Sequence, residues 1–169
     1  DSSVTGVQTC ALPISIENIK NEKKNKFEEN INVTGKRVLV VDDVEINREI
    51  TALMAERLGL IPTTCEDGLV ALNIVKEKDA NYFDIILCDI QMPVMNGYTF
   101  TEEVRKLDDI NKRHLPIIAL TANAFEEDVK LSLEAGMNAH LSKPIEPDVL
   151  FATLEKLLDI SGNGREDTE

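Results

Sequence analysis

Short apolar runs alternate with amphipathic segments between Lys36 and Ile160. Within each run the apolar residues are consecutive, which is typical of strands buried on both faces of a parallel sheet. The runs are RVLVVDD at 37–43, LIPTTCE at 60–66, FDIILCDI at 83–90, LPIIALTA at 115–122 and AHLSKP at 139–144. We therefore expect five buried strands in this part of the chain.

The segments between these runs carry apolar residues at helical spacing. They include Ile46, Ile50, Leu53 and Met54, then Phe100, Val104 and Leu107, and finally Leu150, Leu154, Leu157 and Leu158. Gly59 and Gly136 follow two of these segments, where helices commonly end. Alternating strands and helices predict an α/β fold, a doubly wound parallel sheet with helices on both faces.

Composition changes at both ends of this region. Residues 1–15 match nothing downstream, and VTGVQTCALPI at 4–14 resembles a translated sequencing adapter, so we interpret them as a non-native leader. Residues 16–35 are rich in Asn, Lys and Glu and predict a polar linker. Residues 161–169 are polar and predict a disordered tail. The expected domain is 36–160, at the C-terminal end of a longer parent protein.

Charge and cysteine content narrow the function classes. With 31 acidic and 18 basic residues the net charge is −13, which opposes binding to nucleic acid or to an anionic membrane. No apolar run is long enough to cross a bilayer. Cys10, Cys65 and Cys88 show no CxxC spacing, so neither a disulfide framework nor a zinc site is indicated, and a cytoplasmic location is expected. We expect Cys65 and Cys88 to be core residues.

Polar side chains follow four of the five predicted strands. Asp42 and Asp43 follow the first strand, Asp89 ends the third, Thr121 ends the fourth and Lys143 follows the fifth. Because the carboxyl ends of parallel strands meet at one edge, where open α/β sheets bind ligands, we expect these side chains to lie together. The second strand is followed by Glu66, Asp67 and Gly68, which predict a turn and a helix cap.

Each of these residues also has an ordinary explanation, as a helix cap, a turn residue or a solvated lysine. Together they predict a charged site, since two carboxylates ~4 Å apart repel by roughly 4 kcal/mol at an effective dielectric constant of about 20. Such a cluster needs a cation or a shared proton. Hard oxygen ligands suit Mg²⁺, and a lysine and a hydroxyl suit phosphoryl oxygens. The set fits phosphoryl transfer to a carboxylate.

The motifs in residues 36–160 resemble the receiver domain of two-component response regulators. They are VLVVDD at 38–43, CDIQMPVMNG at 88–97, PIIALTANA at 116–124 and GMNAHLSKP at 136–144. EINREI at 45–50 and PVMNGY at 93–98 are most similar to the C-terminal receivers of hybrid sensor histidine kinases. The resemblance implies a flavodoxin-like sheet with strand order 2-1-3-4-5.

The resemblance also implies a role for each site residue. Asp89 would accept a phosphoryl group from a phosphohistidine. Asp43 would ligate Mg²⁺ directly and Asp42 through water, with Asp89 and the backbone carbonyl of Gln91 as further ligands and Mn²⁺ as an alternative ion. Lys143 would pair with the phosphoryl oxygens, and the peptide bond between Lys143 and Pro144 would be cis.

The same resemblance implies a conformational switch. Thr121 would move toward the phosphoryl group, and the ring at position 140 would change its burial. The face formed by the fourth helix, fifth strand and fifth helix would then be remodelled. The family commonly has Tyr or Phe where this chain has His140, so we expect a smaller packing gain that depends on pH.

Gln91 and Asn123 flank the expected path of the attacking water. Neither is a carboxylate, so neither would act as a strong base for dephosphorylation. We therefore expect a phosphorylated lifetime of minutes or longer. Val44 stands where Asn is common, but its side chain is not required for the metal.

The chain is expected to receive phosphate without using ATP. His114 lies in a loop and His140 in a strand, so neither suits a phosphodonor, and no GxxxxGK loop is present. The expected partner is a histidine kinase or a histidine phosphotransfer protein. Two contexts fit, a stand-alone receiver and the C-terminal receiver of a hybrid histidine kinase, and the preceding linker favours the second. A hybrid parent would be membrane-anchored, and phosphorylation would favour a homodimer.

Three alternatives remain open at this point. A pseudo-receiver would act as a docking module without phosphorylation, although the acidic residues and Lys143 are all present. An aspartate-dependent phosphohydrolase would carry a second Asp two residues after Asp89, where this chain has Gln91, and would need a capping insertion. A DNA-binding response regulator would need an output domain after Ile160.

Overall fold

The computed structural model describes residues 33–122 and 126–166, with side chains described as far as Leu158. The expected leader, nearly all of the linker and Asn123 lie outside the described residues. Five strands form one sheet: β1 (Arg37–Val41), β2 (Ile61–Cys65), β3 (Ile85–Asp89), β4 (Ile117–Thr121) and β5 (Ala139–Ser142).

The sheet is parallel throughout, with strand order β2-β1-β3-β4-β5. This order confirms the doubly wound fold expected from the sequence. The strands also end at about the same height in the sheet. Val41 pairs with both Cys65 and Cys88, and Thr121 pairs with Ser142. The residues that follow β1 and end β3 and β4 therefore reach the same edge.

Five helices connect and follow the strands: α1 (Glu45–Arg57), α2 (Gly68–Glu77), α3 (Gly97–Arg105), α4 (Glu126–Ala135) and α5 (Pro147–Glu166). A single helical turn, Ile110–Arg113, precedes β4. The last helix continues past Ile160 to Glu166, into the segment 161–169 for which the composition predicts a disordered tail. Extending a formed helix adds a hydrogen bond per residue without a new nucleation step, so a polar segment can continue it.

Two apolar clusters cover the two faces of the sheet, as the doubly wound pattern predicts. On one face α2 and α3 pack against the strands through Leu72, Val75, Phe100 and Val104. On the other face α1 and α5 contribute Ala55, Leu150 and Leu154. Among the described residues, no helix combines the length and apolarity that a membrane span requires.

Helix α1 forms where the apolar spacing indicates, but of its apolar row only Met54 packs against the core. Ile46 is 59% exposed and Ile50 and Leu53 are 48% and 49% exposed, whereas the buried residues of the helix are Thr51 and Ala55. Spacing therefore predicts the helix correctly and leaves its rotation undetermined, because rotation depends on the neighbouring elements.

The helix boundaries agree with the expected turn signals. Gly59 and Gly136 have φ of 95° and 107° directly after α1 and α4. Asp67 is the N-cap of α2, and its side chain accepts a hydrogen bond from the backbone N–H of Val70. The end of β2 is thus a turn and a cap, as expected, and contributes no side chain to the acidic cluster described below.

Candidate functional site

Three aspartates converge at the carboxyl edge of the sheet. Asp42 and Asp43 follow β1, and Asp89 is the last residue of β3. One carboxylate oxygen from each lies within 4.8 Å of the other two. Asp42 is fully buried and Asp89 is 7% exposed, whereas Asp43 is exposed. The cluster is therefore open to solvent on the Asp43 side.

The loop from β1 to α1 fixes the acidic pair. Asp42 Oδ1 accepts a hydrogen bond from the backbone N–H of Val44 at 2.9 Å, and Arg48 Nη1 donates to the Asp42 carbonyl at 2.8 Å. The N-cap of α1 is Val44, without a side-chain cap. The pair is thus not the helix cap that is its ordinary alternative. Arg48 was not anticipated, because its partner is a backbone carbonyl.

The backbone behind Asp89 is tightly packed against α3. The N–H of Gly97 donates to the Ile90 carbonyl at 2.9 Å, and a Cβ at Gly97 would lie only 2.5 Å from the Asp89 carbonyl oxygen. Any larger side chain at this position would push the phosphoacceptor candidate out of place. Position 97 therefore requires a glycine, because the backbone of α3 passes so close to the backbone of Asp89.

Lys143 joins the cluster from the far side. Its Nζ is 3.0 Å from Asp42 Oδ2 and 3.3 Å from Asp89 Oδ2. Its backbone N–H donates to the Thr121 carbonyl at 2.8 Å, and the Lys143–Pro144 peptide bond is cis, as the resemblance implies. The ammonium group thus bridges the two buried carboxylates and supplies part of the positive charge that they need.

The electrostatics of this group follow from burial and from like charges. Desolvation raises the pKa of Asp89; Lys143 opposes this change, while Asp42 and Asp43 add to it. Burial acts to lower the pKa of Lys143, but its hydrogen bond to Asp42 and the charge of Asp89 outweigh it, so the pKa rises. The lysine therefore stays charged at neutral pH, and a carboxylate at position 89 is under electrostatic strain.

A groove of about 440 Å³ leads away from the cluster between α3 and α4. Asp43, Gln91 and Thr121 line it, which brings the predicted hydroxyl to the same site. Thr121 is nearly buried, at 8% exposure. Tyr98 and Asp128 also line the groove, and sequence reasoning did not include them, since both lie within helices and neither directly follows a strand.

His140 lies apart from the cluster. It is half-buried in β5 and lines a different groove beside α5. The two described cysteines are core residues, as expected. Burial raises the pKa of the Cys65 thiol to about 12, with a further increase from Asp67, and burial also raises the pKa of Cys88. Both thiols are therefore unreactive at neutral pH.

Comparison with known proteins gives the family. The sequence matches the response regulator receiver domain over residues 38–155. The sensor histidine kinase RcsC of Escherichia coli is 43% identical over 117 residues, which are 69% of this chain and 12% of that protein. The sensor histidine kinase CheAY of Helicobacter pylori is 31% identical over 153 residues, 90% of this chain and 19% of that protein. The chain spans less than a fifth of either kinase.

Solved structures agree. The receiver domain of sensor histidine kinase PA1611 from Pseudomonas aeruginosa, solved with a magnesium ion in its active site cleft, is 35% identical with a TM-score of 0.67, over 75% of this chain and 99% of that one. The chemotaxis response regulator CheY4 of Vibrio cholerae is 31% identical with a TM-score of 0.66, over 73% and 99%. We conclude that this chain belongs to the response regulator receiver domain family.

Proposed function

We propose that this domain is the phosphoacceptor of a two-component phosphorelay. A carboxylate oxygen of Asp89 would attack the phosphorus of a phosphohistidine, the P–N bond would break, and the imidazole would leave as the acyl phosphate forms. The observation that supports this role best is the bridge of Lys143 between Asp42 and Asp89. This bridge orients the Asp89 carboxylate and places beside it an ammonium group that can neutralise the charge of the phosphoryl oxygens.

The acidic cluster suits a divalent cation. Hard carboxylate oxygens within 4.8 Å of one another match the preference of Mg²⁺, and the single ammonium does not balance three carboxylates. Asp42, Asp43, Asp89 and the backbone carbonyl of Gln91 would hold Mg²⁺, or Mn²⁺ in its place. When bound, the ion would neutralise the charge that gathers on the transferred phosphoryl group.

Thr121 and Lys143 would bind the phosphoryl oxygens of the product. The buried position of Thr121 beside the groove supports a short inward movement of its hydroxyl. We propose that this movement changes the burial of His140 and remodels the face formed by α4, β5 and α5. A homodimer formed on phosphorylation would use that face.

The wider setting follows from the relatives, which are sensor histidine kinases. We propose that the chain is part of a hybrid histidine kinase, receives its phosphoryl group from a histidine kinase domain or a histidine phosphotransfer protein, and works in the cytoplasm. The net charge of −13 supports a protein partner and opposes nucleic acid.

Intact-mass measurement of the full chain tests the phosphoacceptor role. The protein is incubated with acetyl phosphate, with and without Mg²⁺, beside Asp89→Asn and the control Asp79→Asn, which removes an exposed carboxylate elsewhere. We expect one Mg²⁺-dependent phosphoryl adduct in the wild type and the control, and none in Asp89→Asn. A folded wild type that binds Mg²⁺ and gains no adduct would instead indicate a pseudo-receiver.

The phosphorylated state should last minutes or longer. Gln91 lines the groove beside Asp43, and an amide side chain is a poor base for activating water. The side chain of Asn123 is also an amide and is an equally poor base. After the donor is removed by rapid desalting, loss of the adduct is followed by mass over time. First-order decay complete within seconds would contradict this prediction, and Gln91→Glu is expected to shorten the lifetime.

A further inference from the structure

The loop between β3 and α3 forms one wall of the site. Its residue Gln91 lines the groove together with Asp43. The two ends of the loop are fixed by neighbouring elements: the Ile90 N–H donates to the Leu120 carbonyl of β4 at 3.2 Å, and Asn96 is the N-cap of α3. Neither contact reaches the middle of the loop, so its position depends on other groups.

The middle of the loop is a tight turn. The Met95 N–H donates to the Pro93 carbonyl at 2.7 Å, which closes a three-residue turn around Val94 with its φ of 66°. A γ-turn with positive φ at its centre is rare and strained, and strained backbone persists only where the surrounding structure holds it. A turn closed this tightly has little slack to absorb a displacement before Gln91 moves.

Gly68, the first residue of α2, supplies the contact that holds this turn. The first N–H groups of a helix have no partner within the helix, and the buried Gly68 donates its N–H to the Met95 carbonyl at 3.2 Å. The side chain of Asp67 accepts from Val70 instead. Two turns that are distant in sequence are thereby joined through their backbones.

The contact leaves no room for a side chain at position 68. A Cβ there would lie 2.5 Å from the Met95 carbonyl oxygen and 3.0 Å from Met95 Cγ. The φ of Gly68 is not in the left-handed region, so the glycine is needed for space and not for its conformation. The Met95 side chain also packs against the core cluster of α2 and α3, so the loop cannot move outward without losing that packing.

We propose that Gly68 is a positioning residue for the cation site. By holding Met95, it fixes the loop that carries the Gln91 carbonyl, and the proposal rests on the proposed function, which assigns that carbonyl to the cation. Mg²⁺ demands near-ideal octahedral geometry, so a small displacement of one ligand lowers its affinity. The turn after β2 thus acts on the acidic cluster through backbone contacts, although it contributes no side chain to it.

Mg²⁺ affinity of the full chain tests this role in Gly68→Ala, with Gly136→Ala as the matched control. Gly136 lies before β5, at the opposite edge of the sheet, and a Cβ there would meet Arg105 Cγ at 3.1 Å. Both substitutions should lower the midpoint of urea unfolding in the absence of metal. Mg²⁺ is titrated at pH 7 and binding is followed by backbone NMR.

The Mg²⁺ dissociation constant should rise about tenfold in Gly68→Ala, as is typical when a group that orients a metal ligand is altered. Gly136→Ala should leave it unchanged. A dissociation constant in Gly68→Ala equal to that of the wild type would overturn the proposal, and so would an equal rise in both variants, which would indicate general destabilisation. If Gly68→Ala fails to fold, Met95→Ala replaces it, with a smaller rise expected and an unchanged affinity again contradicting the proposal.

Two further readouts separate this proposal from the proposed function. In the metal-free protein, Gly68→Ala should shift the amide signals of Gln91 and Met92, and absence of those shifts would overturn the positioning role. The phosphoryl adduct formed with acetyl phosphate is measured in parallel. A wild type that binds Mg²⁺ more tightly than Gly68→Ala but gains no adduct would count against the phosphoacceptor role alone, whereas equal Mg²⁺ affinity with a normal adduct would count against the positioning role alone.

Discussion

Val94 combines an exposed apolar side chain with a strained backbone. Its φ is 66° and it is 79% exposed, in the loop that follows the phosphoacceptor candidate. A β-branched residue in the left-handed region is a true outlier, while Asn tolerates that region. The loop therefore stores strain near the site, where such strain commonly occurs.

Replacing Val94 should stabilise the domain. We expect Val94→Asn to raise the free energy of unfolding by about 0.5–1 kcal/mol, because the left-handed conformation is then less strained. Urea unfolding measures the change. Val94→Ala removes the β-branch but keeps an ordinary Cβ, so its gain should be smaller. A Val94→Asn variant no more stable than the wild type would contradict this account.

Asp89 should make the metal-free fold less stable as pH rises. Its pKa is raised in the folded state by desolvation and by Asp42 and Asp43, against the effect of Lys143. The native state therefore binds more protons than the unfolded state above the ordinary aspartate pKa, so stability falls as pH rises through the raised pKa and is regained on acidification.

It follows that Asp89→Asn should be more stable than the wild type at pH 7 without metal, on the order of 1 kcal/mol, since it removes one of three clustered charges. The difference should shrink as pH approaches 4. Chemical unfolding at several pH values measures it. A variant less stable than the wild type at pH 7 would mean that the Lys143 contact outweighs desolvation and repulsion.

At the scale of elements, Arg105 joins the end of α3 to the starts of two strands. Its five N–H groups make five hydrogen bonds: Nε and Nη2 to the Gly136 carbonyl, Nη1 to the Arg113 and Leu115 carbonyls, and Nη2 to Asn138 Oδ1. Burial lowers its pKa to about 10, so the guanidinium still carries its charge. Asn138 Oδ1 also accepts from the Ile117 N–H.

A lysine cannot replace this planar group. We expect Arg105→Lys to lower the free energy of unfolding by about 2–3 kcal/mol, because several partly buried carbonyls lose their donors. Arg57→Lys is the matched control, since Arg57 is an exposed residue at the end of α1, and it should change stability by less than about 0.5 kcal/mol. Equal effects of the two substitutions would contradict a joining role for Arg105.

At the scale of the whole molecule, the acidic cluster couples cation binding to folding. Asp42 and Asp43 come after β1 and Asp89 from β3, so the cluster exists only when the sheet is assembled. A cation that binds the native state alone stabilises it by mass action. A cation that binds this cluster should therefore increase the fraction of folded protein.

Adding Mg²⁺ should raise the midpoint of thermal unfolding. At a concentration tenfold above its dissociation constant, the stabilisation is about 1.4 kcal/mol. Asp43→Asn should lose most of this gain, whereas Asp79→Asn, which changes an exposed carboxylate elsewhere, should keep it. Calorimetry with and without Mg²⁺ measures both. An equal gain in Asp43→Asn would place the binding site elsewhere.

Much of the architecture was predictable because it depends on local pattern. Continuous apolar runs such as the one in β3 before Asp89 indicate strands buried on both faces, and the alternation with helices indicates a parallel sheet. The strand ends then bring Asp42, Asp89 and Lys143 to one edge. The last helix continues past the boundary expected at Ile160, because helix continuation depends on neighbouring turns more than on composition.

The sequence by itself determined the elements, their alternation and the residues at the strand ends, since hydrophobic periodicity and turn residues act over short distances. Only the tertiary structure decided that Ile46, Ile50 and Leu53 of α1 face outward, that Arg48 and Arg105 donate to backbone carbonyls, and that the buried Nε2 of His140 has no partner in the described part of the chain. These features depend on how elements distant in sequence pack, and a backbone carbonyl looks the same at every position of the chain.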